Sequence, residues 1–115
     1  MKNQQIYLED IQTRIAMIET FTDKGRAAFV SSLMIQESVI RCYEVIGEIV
    51  KRLDPSLLTL YPHIPWKQIA GFRDVLMHQV KVIWKAVEED LPSLKQAIAA
   101  LLAQTNAPPH SDGDA

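Results

Sequence analysis

The sequence predicts an all-α protein, an antiparallel bundle of four to five helices, and three observations carry that prediction. Apolar residues recur every three or four positions along most of the chain. No stretch alternates in the two-residue rhythm of a half-buried strand, and only four glycines occur, none in a phosphate-binding pattern. At 115 residues the chain holds one core and is too short for a second. Its 48% hydrophobic and 23% charged content is that of a folded chain rather than a disordered one.

The first helix is expected over Tyr7 to Phe21, where Leu8, Ile11, Ile15 and Ile18 form one stripe. Thr22-Asp23-Lys24-Gly25 breaks the pattern. A second, longest helix then follows through Phe29, Leu33, Ile40, Tyr43, Ile46, Ile49, Val50 and Leu53, and Asp54-Pro55 stops it, because proline disfavours the helical conformation of the residue before it. The connector SLLTLYPHIPW is apolar enough to be packed, with a short helical turn. Pro65 suits the first turn of a third helix running to His78, whose apolar residues Trp66, Ile69, Ala70, Phe72, Val75 and Leu76 cover a wide surface. Val80, Ile83, Trp84 and Val87 continue a helical period. Asp90-Leu91-Pro92 reads as the cap and first turn of a last segment ending near Leu102. The domain is thus expected over residues 1–104, with 105–115 a disordered tail.

Charge and cysteine usage narrow the function. A formal net charge of -2 excludes a broadly basic, non-specific nucleic-acid binder, whose affinity would come from many Lys and Arg on phosphates; a local basic site stays open. Cys42 stands alone, so neither an intramolecular disulfide nor a cysteine metal cluster can form. The charged amino terminus has no signal-peptide core and no membrane span, and a cytoplasmic location is expected.

Chemistry is expected from Arg73, Asp74 and His78, three polar groups in an otherwise apolar run. Asp74 and His78 are four apart and share a helix face, so the carboxylate can hold the imidazole and raise its pKa. Arg73 lies about 140° round the axis from His78, so one helix converges the pair poorly. A two-fold dimer does better, since it brings two Arg-His pairs into one cleft. RNA cleavage needs a base for the 2′-hydroxyl, an acid for the 5′-oxygen and a cation for the phosphorane; two such pairs supply all three without metal. R-x-x-x-x-H alone is weak as a motif. His78 also fits as a helix-end histidine favoured by the dipole, and Arg73 with Asp74 as a surface ion pair.

The surrounding sequence decides between these readings. YLEDI, VIRCYEVIGEIVKRL, YPHIPWKQIAGFRDVLMH and VIWKAVEEDLPSLK, in that order, resemble the HepT branch of HEPN proteins over roughly residues 7 to 102. The resemblance implies a homodimeric helical bundle of HEPN type and a cofactor-free, metal-independent endoribonuclease toxin acting on RNA; whether the dimer assembles into a higher oligomer stays open. It also implies a partner antitoxin of the minimal nucleotidyltransferase type, MntA. The family's catalytic arginine and histidine map to Arg73 and His78, and its supporting polar residue to Asp74. The family motif continues with one residue and then a tyrosine that accepts AMP from the antitoxin; here Gln79 and Val80 follow His78. A short aromatic, Gly-containing, acidic segment before the VIW helix is also absent, which points to a deletion of several residues. The rival reading is a helical dimer that binds a nucleotidyltransferase partner without cutting RNA. A nucleotidyltransferase activity of the chain itself is set aside, because no Gly-Ser loop or paired strand carboxylates are visible to hold Mg²⁺ and triphosphate.

Among the remaining polar and aromatic residues, His63 is expected to be structural or exposed. Tyr43, Trp66 and Trp84 are expected to pack, and Glu37, Glu44 and Glu48 to face solvent or a subunit interface.

Overall fold

The structure, a computed structural model, describes residues 2–71 and 80–106. All the regular structure in them is helical, as the sequence predicts. Helix α1 spans Lys2–Phe21, and Leu8, Ile11, Ile15 and Ile18 are its fully buried stripe. It begins five residues before the apolar pattern does, because Gln4 anchors the polar first turn. The Gln4 carboxamide accepts from the Asp54 amide at 2.7 Å and donates to the Arg52 carbonyl at 3.4 Å. These bonds tie the start of α1 to the end of α3 (Leu33–Val50), so the two helices run antiparallel.

The expected second helix is two helices, α2 (Arg26–Ser31) and α3. Gly25, with φ of 90°, precedes α2 in a conformation that costs a side-chain-bearing residue energy. The break falls at Ser32, which is extended (φ -122°, ψ 109°), and its hydroxyl accepts from the Ile35 amide at 3.2 Å as the N-cap of α3. Gln36 completes the corner by donating to the carbonyls of Phe29 and Val30, both at 2.9 Å, and the Phe29 carbonyl also accepts from the Ser32 amide at 3.4 Å.

Asp54 caps the short α4 (Pro55–Leu58), accepting from the amide and hydroxyl of Ser56 at 3.0 and 2.9 Å. Those bonds hold its carboxyl below the ordinary range. The rest of the connector is packed, as expected: the Trp66 indole N–H donates to the carbonyls of Leu58 and Tyr61 at 3.1 and 3.0 Å. Pro65 sits just before α5 (Trp66–Ala70) rather than in its first turn.

Helix α5 lies against α3 at Gly47. A Cβ on Gly47 would stand 2.7 Å from the Ile69 carbonyl oxygen and 3.2 Å from that of Ala70. The remainder of the expected third helix, Phe72 to His78, lies outside the described residues.

The largest departure from expectation comes next. Asp90 is not a helix cap. Helix α6 (Val80–Lys85) runs through a π-helical turn (Ala86–Asp90) directly into α7 (Leu91–Asn106), all as one unbroken helical path. The Leu91 amide bonds to the Ala86 carbonyl, five residues back. Pro92 supplies the physical reason. Its ring lacks an amide hydrogen and crowds the carbonyl four residues earlier, and a wider turn relieves that crowding without ending the helix. Helix α7 reaches Asn106, so the first residues of the expected tail are helical; 107–115 lie outside the described residues.

Helix α7 packs on α1, α1 on α3, and α3 on α5, while α2 bridges α3 and α6, where Phe29 and Trp84 meet at 5.3 Å. Ile46, Ile83, Leu94, Ile98 and Leu101 join the α1 stripe and Phe29 in the dry centre. Lys95 Nζ to Glu19 Oε2, 2.8 Å, joins α7 to α1 at the surface. Among the described residues no charged side chain is buried, and no helix is long and apolar enough to cross a membrane.

Gly47→Ala is expected to destabilise the protein by about 1–3 kcal/mol, because backbone carbonyls cannot yield as a side chain would. In an exposed helix the same change would stabilise by up to about 1 kcal/mol. A lowered urea midpoint at unchanged slope is the expected result.

Candidate active site

Arg73, Asp74 and His78 lie outside the described residues; what the structure supplies is the frame that holds their segment at both ends. On one side α5 is fixed to α3 by the Gly47 contact and ends at Gly71, whose amide bonds to the Lys67 carbonyl at 3.1 Å. On the other side α6 is fixed to α2 by the Phe29 and Trp84 rings.

Beside the first of these anchors is a cavity of about 400 Å³ between α3, α5 and the α6–α7 helix. Tyr43, Ile69, Ala86, Leu91 and Leu94 are its buried lining, and Gln68, Lys85 and Asp90 are exposed at its rim. Lys85 and Asp90 reach one cavity because of the π turn. Five residues apart on an α-helix they would point about 140° apart, whereas a turn closed between residues five apart draws them toward one face. Sequence periodicity carries no signal for this, since it assumes the α-helical angle throughout.

Burial dominates the titration of Tyr43. Its phenol is pushed far above the ordinary value of 10.0, first by desolvation and then by the negative charges of Asp90 and Cys42. Burial likewise raises the Cys42 thiol, although the positive charge of the nearby Arg14 guanidinium partly offsets this.

The other expected placements hold. Tyr43 and Trp66 are buried, and Trp84 is half-buried against Phe29. His63 is exposed, its ring edge-on to Tyr61 at 6.2 Å. Glu37 is exposed, while Glu44, which pairs with Arg41 at 3.5 Å, and Glu48, which pairs with Lys51 at 3.0 Å, are half-buried. Among the described residues no three His, Cys, Asp or Glu side chains gather as a metal site.

Helix order and packing place the chain in the class of antiparallel helical bundles. Within that class, the model of one family, described as Ribonuclease HepT-like, matches residues 11–101. The chain belongs to the HepT-like ribonuclease family. A Thermococcus cleftensis protein named "Probable ribonuclease HepT" is 43% identical over 95 residues, covering 77% of this chain and 86% of that protein. "Putative RNase MJ0125" of Methanocaldococcus jannaschii is 35% identical over 102 residues, covering 84% of this chain and 88% of the relative. From the same organism, "Gamma-glutamylcyclotransferase and putative RNase MJ0434" is 37% identical over 109 residues. That match takes in 90% of this chain but 49% of the relative, so the chain spans about half of that protein's length. In all three the alignment is several positions longer than the part of this chain it covers, since 90% of 115 residues is fewer than 109; these relatives hold residues with no counterpart here. No solved structure matches the chain.

The raised Tyr43 pKa fixes a direction of pH dependence. An unfolded phenol ionises near 10.0, while the buried one keeps its proton to higher pH. The stability tied to that proton is therefore complete below pH 10.0 and is lost as the pH rises beyond it. Urea unfolding at pH 8 and pH 11 is expected to show a fall in stability that Tyr43→Phe makes smaller.

Proposed function

We propose that this protein is a metal-independent endoribonuclease toxin of a bacterial toxin-antitoxin pair, acting as a homodimer whose two Arg73-His78 pairs share one cleft. The observation that carries this reading is the R-x-x-x-x-H motif at residues 73–78, inside a chain that the HepT-like family matches from 11 to 101. In this mechanism one His78 takes the proton of a ribose 2′-hydroxyl, and the freed oxygen bonds to the adjacent phosphorus. The bond from phosphorus to the 5′-oxygen breaks, and the second His78 gives that oxygen its proton. The products are a 2′,3′-cyclic phosphate and a 5′-hydroxyl end. Arg73 balances the charge that builds on the phosphorane, and Asp74, four residues before His78 in the chain, holds the imidazole. Every step uses side chains that the dimer itself supplies, so no metal or cofactor is needed.

The partner is an MntA-type nucleotidyltransferase antitoxin, but its control by AMP transfer is lost here. Val80, where the family motif has its tyrosine, offers no hydroxyl to form a phosphoester. The extra residues of the relatives support a shortened connection in this chain. The same shortening favours a second reading, a dimer that keeps the scaffold and docks the antitoxin without cutting RNA.

Incubation of a mixed tRNA and messenger RNA substrate in EDTA is expected to show cleavage by this chain and none by Arg73→Ala or His78→Ala at matched concentration. No cleavage by a folded dimer would overturn this reading in favour of the second. After incubation with an MntA-type antitoxin and ATP, mass spectrometry is expected to find no AMP between Phe72 and Trp84; AMP found there would overturn the loss of control.

A further inference from the structure

The cavity between α3, α5 and the α6–α7 helix takes no part in the acid-base chemistry above, yet its parts are sorted in a particular way. The floor is apolar, formed by Ile69, Ala86, Leu91, Leu94 and the Tyr43 ring. The rim holds an acceptor-only group (Asp90), an amide that both donates and accepts (Gln68) and a cation (Lys85). Among the described residues none of these three side chains makes a hydrogen bond or ion pair, which leaves them open to a ligand.

A nucleotide is sorted the same way: two apolar ring faces, a polar base edge and an anionic phosphate. Proteins that read single-stranded RNA take splayed-out bases into such slots and hydrogen-bond their edges. About 400 Å³ lies within the range of small-ligand pockets. Gly71 lines the cavity and is two residues before Arg73 in the chain, so a base held there belongs to a nucleotide close to the bond that is cut.

We infer that this cavity is a base-recognition pocket, which takes one unpaired base of the RNA into its apolar floor and selects bases bearing an amino group through Asp90. Adenine, cytosine and guanine each carry such a group and can donate to the carboxylate; uracil has no amino group, and its one ring N–H is flanked by two carbonyls that repel the carboxylate, so it is disfavoured. Gln68 meets the remainder of the base edge, and Lys85 meets the phosphate. The π turn is then part of the recognition device, because it brings Lys85 and Asp90 to the same opening. This inference rests on the ribonuclease reading for its substrate class.

The test is titration of the isotope-labelled protein in EDTA with each of the four 5′-mononucleotides, followed by amide NMR shifts. AMP, CMP and GMP are expected to shift the amides of Ile69, Gly71, Ala86 and Leu94 and to bind about fivefold or more tightly than UMP. Asp90→Asn, an exposed and conservative change, should reduce or reverse that preference, since its amide can donate to a uracil carbonyl. Lys85→Ala should weaken all four about equally and reduce the dependence on salt. Shifts confined to other surfaces, an absence of shifts with every nucleotide, or a preference unchanged in Asp90→Asn would each overturn the proposal. Binding is read without turnover, so a protein that binds here but cuts no RNA refutes the ribonuclease reading alone. One that cuts RNA without binding here refutes the pocket alone.

Discussion

The close approach of α5 to α3 at Gly47 is the constraint on which the rest of the arrangement depends. A carbonyl oxygen 2.7 Å from where a Cβ would stand leaves room for hydrogen and nothing larger. Because the two backbones meet there, the connector from Asp54 must fold back tightly, and it does so through the Asp54 cap and the paired bonds of the Trp66 indole. Gly71 is thereby fixed in place, and with it the point from which the chain leaves toward Arg73 and His78. A single hydrogen atom in place of a methyl group on α3 thus sets one boundary of the segment that carries Arg73, Asp74 and His78.

Much of the fold was legible in the sequence, and for one reason: a helix that packs on one side must repeat its apolar residues at its own period. The α1 stripe of Leu8, Ile11, Ile15 and Ile18 is buried as that rule requires, and the stop at Asp54-Pro55 and the packed connector follow from proline and tryptophan chemistry. The departures share a different physical origin. Ser32 breaks a run whose apolar spacing continues across it, since its hydroxyl offers the next helix a cap. Gln4 extends α1 by bonds to residues some fifty positions away, and Pro92 widens a turn without ending the helix. Each is decided by hydrogen-bond accounting, to which periodicity is blind.

The candidate site was legible in its residue types and hidden in its geometry. Arg73, Asp74 and His78 stand out by being polar in an apolar run, and the order of flanking motifs carries the family. The cavity rim does not stand out, because Gln68, Lys85 and Asp90 resemble ordinary solvent-facing residues until the π turn and the α5 contact bring them to one opening. Asp90 illustrates the difference. Read along the chain it is a helix cap; in the fold it faces a cavity floored by Tyr43 and helps hold that phenol in its neutral form.

The unbroken path from Val80 to Asn106 also has a mechanical consequence. A loop between two separate helices can absorb a change in length, but a continuous helix behaves as a lever and passes a displacement at one end to the other. The residues that the relatives possess and this chain lacks therefore bear on more than a local connection, if they fall before Val80. Drawing in the start of this helix would pull on its whole length, and α7 would carry that pull to its seam with α1. The π turn, with its looser hydrogen bonding, is where such a lever would bend first.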